Sequence, residues 1–493
     1  MKPKNQHARR EKSSVADRGI TRRNFIQRGL AAAGALAVPT FIPASARGAN
    51  GNVAPSERIT VGLIGKGLMA GGHLRVLTYR PDVQLVAVCE VDRTRREDGR
   101  STVDAIYAAS QANGNYKGCA AYNDYRELLA RPDIDAVVIV TPDHWHALQS
   151  VDAAKAGKDI YCEKPVSVTI QEGRRLADVV RRYGRVFQTG TQYRSAPEIR
   201  RVCQFIRDGR LGKVKSVFTL YTSIQDGITG ERFKPYANVV NVEQCGKSYV
   251  PMDFALPAEP VPEGLDWDMW VGPAPWRPYN HVYHTNPSPG VVPWAFADAF
   301  GVSSSTWFLS HAADVIQWAL GFEDSGPVEI FHPSDGKFPT LTCRYANGTL
   351  LHFVNNWEMV KDVYHAVPPT ARLAGNFGGV FVGERGWVTT LSTGGQIEGQ
   401  PESLFEEMQL KRAREVNVGA NNHYPNWIEC IRTRQSPSAN EEIGHRAASL
   451  GHLANIACWT GQSLKWDPMK EEFIDSDAAN RLRSRAMRSP WRM

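Results

Sequence analysis

Short apolar runs alternate with helical patterns from Arg58 to about residue 190. Most of the apolar runs are nearly continuous, a pattern typical of strands that are buried on both faces of a sheet. The segments between them repeat their apolar positions with helical spacing. This alternation predicts an α/β domain over residues 58–190, built on a doubly wound parallel sheet. The predicted strands are 59–65, 83–91, 134–142, 159–165 and 185–190.

The pattern changes beyond this first domain. A stretch rich in Pro, Gly and aromatic residues covers 224–300, and a buried helix is predicted over 303–320. The segment "YANGTLLHF" (345–353) contains an Asn-Gly pair, which is typical of a hairpin turn between antiparallel strands. We therefore expect an α+β domain over 191–470 with a large, mainly antiparallel open sheet. A polar tail is predicted over 471–493.

The first 46 residues carry the net charge of +7, because they hold nine basic and two acidic side chains. The neutral remainder gives no electrostatic support for a nucleic-acid or anionic-membrane partner. Arg22-Arg23, the apolar run 29–42 and "ASA" at 44–46 follow the order of an export signal, and the run is too short to span a membrane. We interpret residues 1–46 as a twin-arginine (Tat) signal peptide, with 47–57 as a linker. The protein would then be periplasmic or otherwise extracytoplasmic; an ordinary secretory signal or an uncleaved anchor is the alternative.

The eight cysteines form no CxxC pair and no cluster with the spacing of metal ligands. Several lie inside apolar runs, where a cysteine usually acts as a small core residue. We therefore predict neither a disulfide framework nor a metal site.

The segment "GLIGKGLMAGG" (62–72) ends the first predicted strand. Gly65, Gly67 and Ala70 fit the G-x-G-x-x-G/A spacing of a Rossmann dinucleotide-binding turn, which Leu68 and Met69 complete. The first glycine permits a tight turn, and the second lets the backbone approach a pyrophosphate. The small third residue lets the following helix pack closely, with its N-terminus towards the phosphates.

An acidic residue at the end of the second strand bears on the choice of cofactor. Glu90 lies 25 residues after Gly65, where a carboxylate would bind the ribose hydroxyls of adenosine and favour NAD over NADP. Arg93, Arg95 and Arg96 follow and could instead attract a 2′-phosphate. We prefer to interpret these arginines as a solvated helix face, so the predicted cofactor is NAD, with NADP as the alternative.

Longer motifs make the sequence recognisable. It resembles the Gfo/Idh/MocA family of glucose–fructose oxidoreductases and inositol dehydrogenases, and within it the exported branch with a bacterial-type oxidoreductase C-terminal region. The resemblance covers nearly everything after residue 57. The motifs that carry it include "TPDHWHALQSVDAAKAGKDIYCEKP" (141–165), "GTQYRS" (190–195), "GLDWDMWVGPAPWRPYN" (264–280) and "DVIQWALG" (314–321).

Glu163, Lys164 and Pro165 match the E-K-P motif of the family. There the lysine contacts cofactor and substrate, and helps move the hydroxyl proton while hydride passes to the nicotinamide. A partly desolvated lysine beside a cationic nicotinamide would have a lowered pKa, as this role requires. The resemblance therefore implies that Lys164 is a catalytic residue and that Glu163 lies beside the cofactor.

Other matched positions imply further contacts. Thr141, Pro142 and His146 fall where the family lines the nicotinamide end of the cofactor, and Tyr193 is a candidate substrate contact. The neighbouring His144 and Trp145 are interpreted as structural. The aromatic residues of 264–280 could stack on a sugar, but we expect most of them to fold their own loop.

The helix 303–320 contains the sequence's main departure from the family. Members read D-W-G-x-H-x-x-D where this chain reads "WFLSHAAD" (307–314). Aligned without a gap, His311 matches the catalytic histidine and Asp314 the last acid, while Trp307 replaces the first aspartate. The resemblance thus implies that Lys164 and His311 share acid–base work and that His311 and Asp314 contact the substrate.

Three functions remain open from the sequence. The first is an NAD(P)-dependent oxidoreductase acting on a secondary alcohol of a sugar, cyclitol or glycoside. The second is an NAD-retaining enzyme that cleaves glycosides through a transient keto sugar. The third is a ligand-binding protein whose site is impaired by Trp307. We favour the first, as a homo-oligomer with a small carbohydrate-like substrate.

Overall fold

The structure is a computed structural model. Residues 58–493 form one compact unit. The predicted signal peptide, most of the predicted linker and Cys245 lie outside the residues that the structure describes. Within those residues, no helix has both the length and the apolar character needed to cross a membrane. The described residues are 53–110, 118–221, 256–285, 293–375, 377–391, 396–411 and 423–493.

The first sheet has six parallel strands in the order β3-β2-β1-β4-β5-β6. This order confirms the predicted Rossmann-like, doubly wound sheet. Strand β3 was missing from the prediction, because its three half-buried residues are too short a run to indicate a strand. The strands are β1 Ile59–Ile64, β2 Val83–Cys89, β3 Ala120–Tyr122, β4 Ala136–Ile139, β5 Asp159–Cys162 and β6 Phe187–Thr189.

Helices connect these strands, and two of them begin with an ordinary side-chain cap. The Asp124 side chain accepts from the backbone N–H of Arg126 at the start of α3, and Thr169 accepts from that of Glu172 at the start of α5. The helices are α1 Ala70–Thr78, α2 Arg93–Ser110, α3 Tyr125–Leu129, α4 Asp143–Lys155 and α5 Ile170–Arg182.

Helix α4 is buried almost all round: eleven of its 13 residues are buried. A helix with this exposure lies inside the molecule rather than on its surface. It begins at Asp143, because Pro142 supplies an extended residue at its N-cap. The polar residues of its first turn are therefore carried into the interior.

The second sheet has nine strands in the order β13-β12-β11-β7-β10-β9-β8-β14-β15. Only β7 and β10 are parallel, which confirms a large, mainly antiparallel sheet. The predicted hairpin is β9–β10, with Gly348 at φ +88° in its turn. The strands are β7 Ser216–Leu220, β8 Glu329–Phe331, β9 Thr342–Arg344, β10 Leu350–Val354, β11 Val380–Gly383, β12 Gly386–Thr389, β13 Gly399–Gln400, β14 Leu464–Asp467 and β15 Glu472–Ile474.

One helix organises the packing on this sheet. Helix α9 spans Ser303–Leu320, as predicted, and ends at Gly321, which adopts a left-handed C-cap. It packs against α6 and α13 within one large apolar core. The remaining helices are α6 Pro197–Arg207, α7 Trp267–Val271, α8 His281–His284, α10 Glu358–Asp362, α11 Ser403–Met408, α12 His423–Thr433, α13 Glu441–Thr460 and α14 Asp477–Arg481.

The C-terminal part of the chain returns to the first sheet. In α12, Tyr424 stacks on Tyr161 of β5, with ring centroids 4.6 Å apart. The predicted tail, 471–493, is also folded: it contains β15 and α14, and Trp491 packs edge-on against Trp145 at 4.9 Å. The tail is therefore part of the structure around α4 rather than a polar extension.

The cysteines behave as core residues. All seven described cysteines have free thiols, and all but Cys458 are buried.

Candidate active site

A cavity of about 610 Å³ lies at the carboxyl ends of the parallel strands. Gly65, Glu90, Thr141 and Lys164, which follow β1, β2, β4 and β5, form part of its wall. Helix α9 contributes His311 and two aromatic side chains to the same wall. In doubly wound sheets, ligands bind at this edge, next to the point where the strand order reverses.

The glycine turn has the shape that a dinucleotide requires. Gly65 has φ +93°, and a Cβ atom there would lie 2.7 Å from the carbonyl oxygen of Val140. At Gly67, no heavy atom lies within 4 Å of the Cβ position among the described residues, so the turn borders open space. No described side chain caps the N-terminus of α1, where Ala70 is buried. The N–H of Gly72 donates to the carbonyl oxygen of Met69 at 3.2 Å, and the N–H groups before it remain for an anionic ligand.

Glu90 is fixed at the end of β2. Its Oε2 accepts a hydrogen bond from the backbone N–H of Lys66 at 2.6 Å, and its Oε1 accepts one from Asp92 at 3.0 Å. Each carboxylate oxygen keeps a second lone pair, so the group can still accept from ribose hydroxyls. The glycine turn and Glu90 therefore fit a bound NAD, which Leu68 and Met69 would also adjoin at the cavity wall.

The arginines after Glu90 do not form one solvated face. Arg96 donates to the carbonyl oxygen of Glu90 at 2.6 Å, and Arg95 lies in the cavity wall beside Asp92. Only Arg93 is largely exposed, 3.6 Å from a carboxylate oxygen of Glu263. The interpretation as a solvated face is thus wrong for Arg95 and Arg96, because tertiary contacts hold them.

Lys164 is buried in the cavity wall. Its Nζ lies 3.5 Å from the ring centroid of Trp307, in a cation–π arrangement. Burial lowers the pKa of Lys164 to about 8, against the opposing effect of the Glu163 and Asp143 carboxylates. A lysine with this pKa can present a neutral amine near physiological pH.

Glu163 holds the backbone next to Lys164. Its carboxylate lies 3.1 Å from Nε2 of His73 and accepts from Nε2 of Gln192 at 2.8 Å. Burial alone would raise the pKa of Glu163, but the contact with His73 and the charges of Lys164 and His311 together outweigh it and lower the pKa to about 2. Glu163 lies in the cavity wall as a fixed negative charge, and its contact with the cofactor remains a prediction.

Thr141, Pro142 and His146 form the wall between the glycine turn and Lys164. The ring nitrogens of His146 lie 2.6 Å from the carbonyl oxygen of Pro165 and 2.8 Å from that of Thr141. His146 therefore ties the loop after β4 to the loop after β5. This contact positions Lys164 whether or not His146 also meets a ligand.

His311 faces the same cavity from α9. Burial and the charge of Lys164 lower its pKa to about 3, so its imidazole is neutral. Its Nδ1 has no hydrogen-bond partner among the described residues. The ring of Tyr193, centred 5.4 Å away, packs against it. Tyr193 is 2% exposed and is absent from the cavity wall, so it supports His311 instead of reaching a substrate as predicted.

Asp314 does not reach the cavity. Its carboxylate pairs with Arg194 through Nε at 2.8 Å and Nη2 at 2.7 Å, and both side chains are buried. The predicted substrate contact is therefore wrong for Asp314, because a buried arginine already occupies it. The pair instead ties α9 to the loop after β6.

Aromatic residues that the motifs did not mark complete the site. Phe377 lies in a loop, and its ring centroid is 5.0 Å from that of His311 and 5.3 Å from that of Phe308. Trp294 lies in the same wall. No periodic pattern around Trp294 or Phe377 could have predicted this, because both lie outside regular strands and long helices.

The loop aromatics are mainly structural, as expected. Trp267 and Trp270 stack at 4.7 Å and are buried, although Trp270 also reaches the cavity wall. His144 and Trp145 both contact the carbonyl oxygen of Trp270 at 3.0 Å. These contacts fasten the start of α4 to this loop.

Comparison with known proteins gives the family. Residues 59–191 match the model described as "Oxidoreductase family, NAD-binding Rossmann fold" of Gfo/Idh/MocA proteins. Residues 238–366 and 397–493 match the corresponding C-terminal alpha/beta domain. The chain therefore belongs to the Gfo/Idh/MocA oxidoreductase family and contains an NAD-binding Rossmann domain.

Curated relatives are similar over part of their length. The chain is 33% identical to the rhizopine catabolism protein MocA of Rhizobium meliloti, over 32% of this chain and 45% of that protein. It is 29% identical to levoglucosan dehydrogenase of Pseudarthrobacter phenanthrenivorans, over 32% of this chain and 40% of that protein. It is 30% identical to a glycosyl hydrolase family 109 protein of Shewanella pealeana, over 33% of this chain and 37% of that protein. The chain thus spans less than half the length of these relatives.

Solved structures share the fold across most of the chain. The WlbA dehydrogenase of Bordetella pertussis, in complex with NADH and UDP-GlcNAcA, aligns with a TM-score of 0.52 at 15% identity. That alignment covers 83% of this chain and 98% of WlbA. At these identities, the likeness supports the fold and not the substrate.

Proposed function

We propose that the protein is an NAD-dependent oxidoreductase that acts on a secondary alcohol of a neutral sugar, cyclitol or glycoside. One observation carries this proposal: a buried lysine with a pKa lowered to about 8 shares a cavity with the glycine turn and Glu90. When bound, the dinucleotide supplies the hydride acceptor. Lys164 would take the hydroxyl proton, and the neutral imidazole of His311 would hydrogen-bond the same or the adjacent hydroxyl.

The charge of the cavity supports a neutral substrate. Among the described residues, the cavity is lined by one lysine, Lys164, and one arginine, Arg95. Arg95 lies beside the carboxylate of Asp92. Burial lowers the pKa of His284 to about 4 and that of His311 to about 3, so these two rings add no positive charge. Among the described residues, a carboxylate or phosphate on the substrate would therefore meet no arginine other than Arg95, which already lies beside an acid.

The aromatic wall supports a carbohydrate with an apolar face or an apolar aglycone. Trp294, Trp307, Phe308 and Phe377 line the end of the cavity that holds His311. Small-molecule sites of this kind bind mostly by apolar contact, and a few polar groups fix the orientation. Lys164 and His311 would be those groups.

Redox-neutral cleavage of a glycoside is the second candidate. It is favoured by the similarity to the glycosyl hydrolase family 109 protein. In this reaction, the sugar alcohol is first oxidised to a ketone, which acidifies the neighbouring C–H and lets the aglycone leave. Water then adds, and the hydride returns to the sugar, so no NADH accumulates.

A substrate screen separates these functions. The protein would be loaded with NAD or NADP and incubated with neutral hexoses, cyclitols, and alkyl and aryl glycosides, together with uronates and sugar phosphates. We expect NADH to accumulate with neutral alcohols only. Release of aglycone without net NADH would establish the second candidate, and no reaction with any neutral alcohol or glycoside would overturn the proposal.

Replacing Trp307 tests the environment of Lys164. The face of the indole stabilises the ammonium form, so Trp307→Leu should lower the pKa of Lys164. The rise of kcat/KM with pH, which reports the neutral amine, should move to lower pH by roughly 0.5–1.5 units. Trp307→Phe keeps a ring face and should move it less. An unchanged pH profile in Trp307→Leu would show that the ring does not act on Lys164.

A further inference from the structure

His73 is a buried histidine with a polar group close to each of its ring nitrogens. It lies on α1, one turn after Ala70 of the glycine motif, and is 4% exposed. Its Nδ1 lies 2.5 Å from the hydroxyl oxygen of Tyr424 on α12, and its Nε2 lies 3.1 Å from Oε1 of Glu163. One imidazole thus joins three segments that are far apart in the sequence.

Both contacts agree with one arrangement of protons on the ring. A phenol can donate its O–H, whereas an ionised carboxylate such as that of Glu163 can only accept. The tautomer with its proton on Nε2 accepts from Tyr424 at Nδ1 and presents an N–H to Glu163. Tyr424 is itself fixed, because its ring stacks on that of Tyr161 with centroids 4.6 Å apart. The orientation of His73 is therefore set from α12.

Glu163 is confined by further contacts. Gln192 donates to its Oε1 at 2.8 Å, and the backbone N–H of Lys164 donates to its Oε2 at 3.3 Å. The loop after β6 comes so close that a Cβ atom at Gly190 would lie 2.5 Å from Oε1. The carboxylate therefore fills a space in which a small shift would break these contacts.

The residues on both sides of Lys164 are held in this way. Before it, the Glu163 carboxylate accepts from the N–H of Lys164 and meets His73. After it, the carbonyl oxygen of Pro165 lies 2.6 Å from Nδ1 of His146. A general base is effective only when its supporting residues hold it close to the productive geometry. Two buried histidines thus hold the two sequence neighbours of the proposed base.

We propose that His73, supported by Tyr424, is a positioning residue that fixes Glu163 and, through it, the backbone of Lys164. The proposal rests on the proposed oxidoreductase function. His73 belongs to α1, the helix that follows the glycine turn, so it ties the dinucleotide-binding helix to the proposed base. Among the described residues, the cavity wall includes neither His73 nor Tyr424, so their effect on the reaction passes through Glu163.

Substitution of His73 tests the positioning. His73→Leu keeps a side chain of similar size but removes both polar contacts, so kcat should fall about ten- to hundredfold. The KM for substrate and the Kd for NAD should stay within about threefold, because the cavity wall is unchanged. His73→Gln keeps an N–H donor for Glu163 and should retain most of kcat. Equal kcat values in His73→Leu and the wild type would overturn the proposal.

A double variant shows whether His73 acts through Glu163. Glu163→Gln removes the charge that His73 contacts, so His73→Leu/Glu163→Gln should be no slower than Glu163→Gln alone. Residues that act through one contact show such non-additivity, whereas independent sites add. Multiplied losses in the double variant would contradict a shared path.

Tyr424→Phe tests the support of His73 by a smaller change. It keeps the ring that stacks on Tyr161 and removes only the hydroxyl, so kcat should fall about two- to tenfold. Tyr107→Phe, on α2, is the matched control, because its buried hydroxyl accepts from the backbone N–H of Leu85 at 2.8 Å. It should lose a similar amount of stability and keep the wild-type kcat. The same fall of kcat in both variants would reduce Tyr424 to a core residue.

Infrared spectroscopy gives a readout without turnover. Burial would raise the pKa of Glu163, but the contact with His73 and the charges of Lys164 and His311 lower it to about 2. In His73→Leu, the Glu163 carboxyl should therefore take up its proton at higher pH than in the wild type. The band of the protonated acid would be identified by subtracting the spectrum of Glu163→Gln.

The infrared and kinetic results fail separately. The same titration of Glu163 in His73→Leu and the wild type would overturn the role of His73, even in a protein that oxidises alcohols. A shifted titration in a protein that turns over no alcohol would support the hold of His73 on Glu163 and refute the proposed reaction. If His73→Leu does not fold, Tyr424→Phe and Tyr107→Phe still decide the question by their kcat values.

Discussion

Lys164→Met is expected to abolish turnover while leaving the binding of NAD within a few-fold of wild type. Methionine keeps the length and the apolar stem of lysine but cannot accept a proton. Loss of a positioned general base costs about 10²–10⁴ in rate, so kcat should fall by that factor. The cofactor would keep its contacts with the glycine turn and Glu90, which follow other strands of the sheet.

The control for this experiment is a second lysine-to-methionine change. Lys155→Met, at the exposed end of α4, makes the same chemical change away from the cavity and should retain full activity. Single-turnover measurements would show whether the chemical step itself is lost. If Lys164→Met turns over at the wild-type rate, the assignment of the active site to this cavity is wrong.

Trp307 changes the electrostatics of the site in a way that the resemblance alone did not show. A carboxylate next to a lysine stabilises the ammonium and can also take its proton, whereas an indole face only stabilises the cation. Trp307 therefore does not replace an acid in proton transfer.

Much of the fold could be predicted from the sequence because local patterns determine it. The parallel strands are apolar runs, and α9 has a continuous helical pattern that ends at Gly321, so both were predicted close to their observed bounds. Strand β3 is too short for such a run and was missed. The tail was read as polar because its anchors, such as Trp491 against Trp145, lie far apart in the chain.

The candidate site likewise contains residues that local motifs predict and contacts that no local pattern indicates. Gly65, Glu90 and Lys164 belong to short motifs that follow strands, so their meeting at one edge of the sheet follows from the parallel topology. The pairing of Arg194 with Asp314 spans 120 residues of sequence and has no local signal. Because the sequence does not indicate this pair, the match to the family motif alone suggested a substrate contact for Asp314. The burial of α4, which hides Asp143, likewise depends on packing between distant segments.

Breaking the pair of Arg194 and Asp314 is expected to have the largest effect on stability. Arg194→Met leaves the Asp314 carboxyl buried without its counter-charge, which should lower the free energy of unfolding by about 3–5 kcal/mol. Arg194 also donates to the carbonyl oxygen of Ser438 and pairs with Glu323, so its loss loosens several segments at once. Urea denaturation at neutral pH would measure the change.

The double variant Arg194→Met/Asp314→Leu separates a structural role from substrate binding. It removes both buried charges, and such replacements are often close to neutral, so most of the lost stability should return. If Asp314 serves only to hold α9, the KM for substrate should match the wild type in this variant, because His311 keeps its place. A large rise in KM in the stable double variant would instead restore Asp314 as a substrate contact.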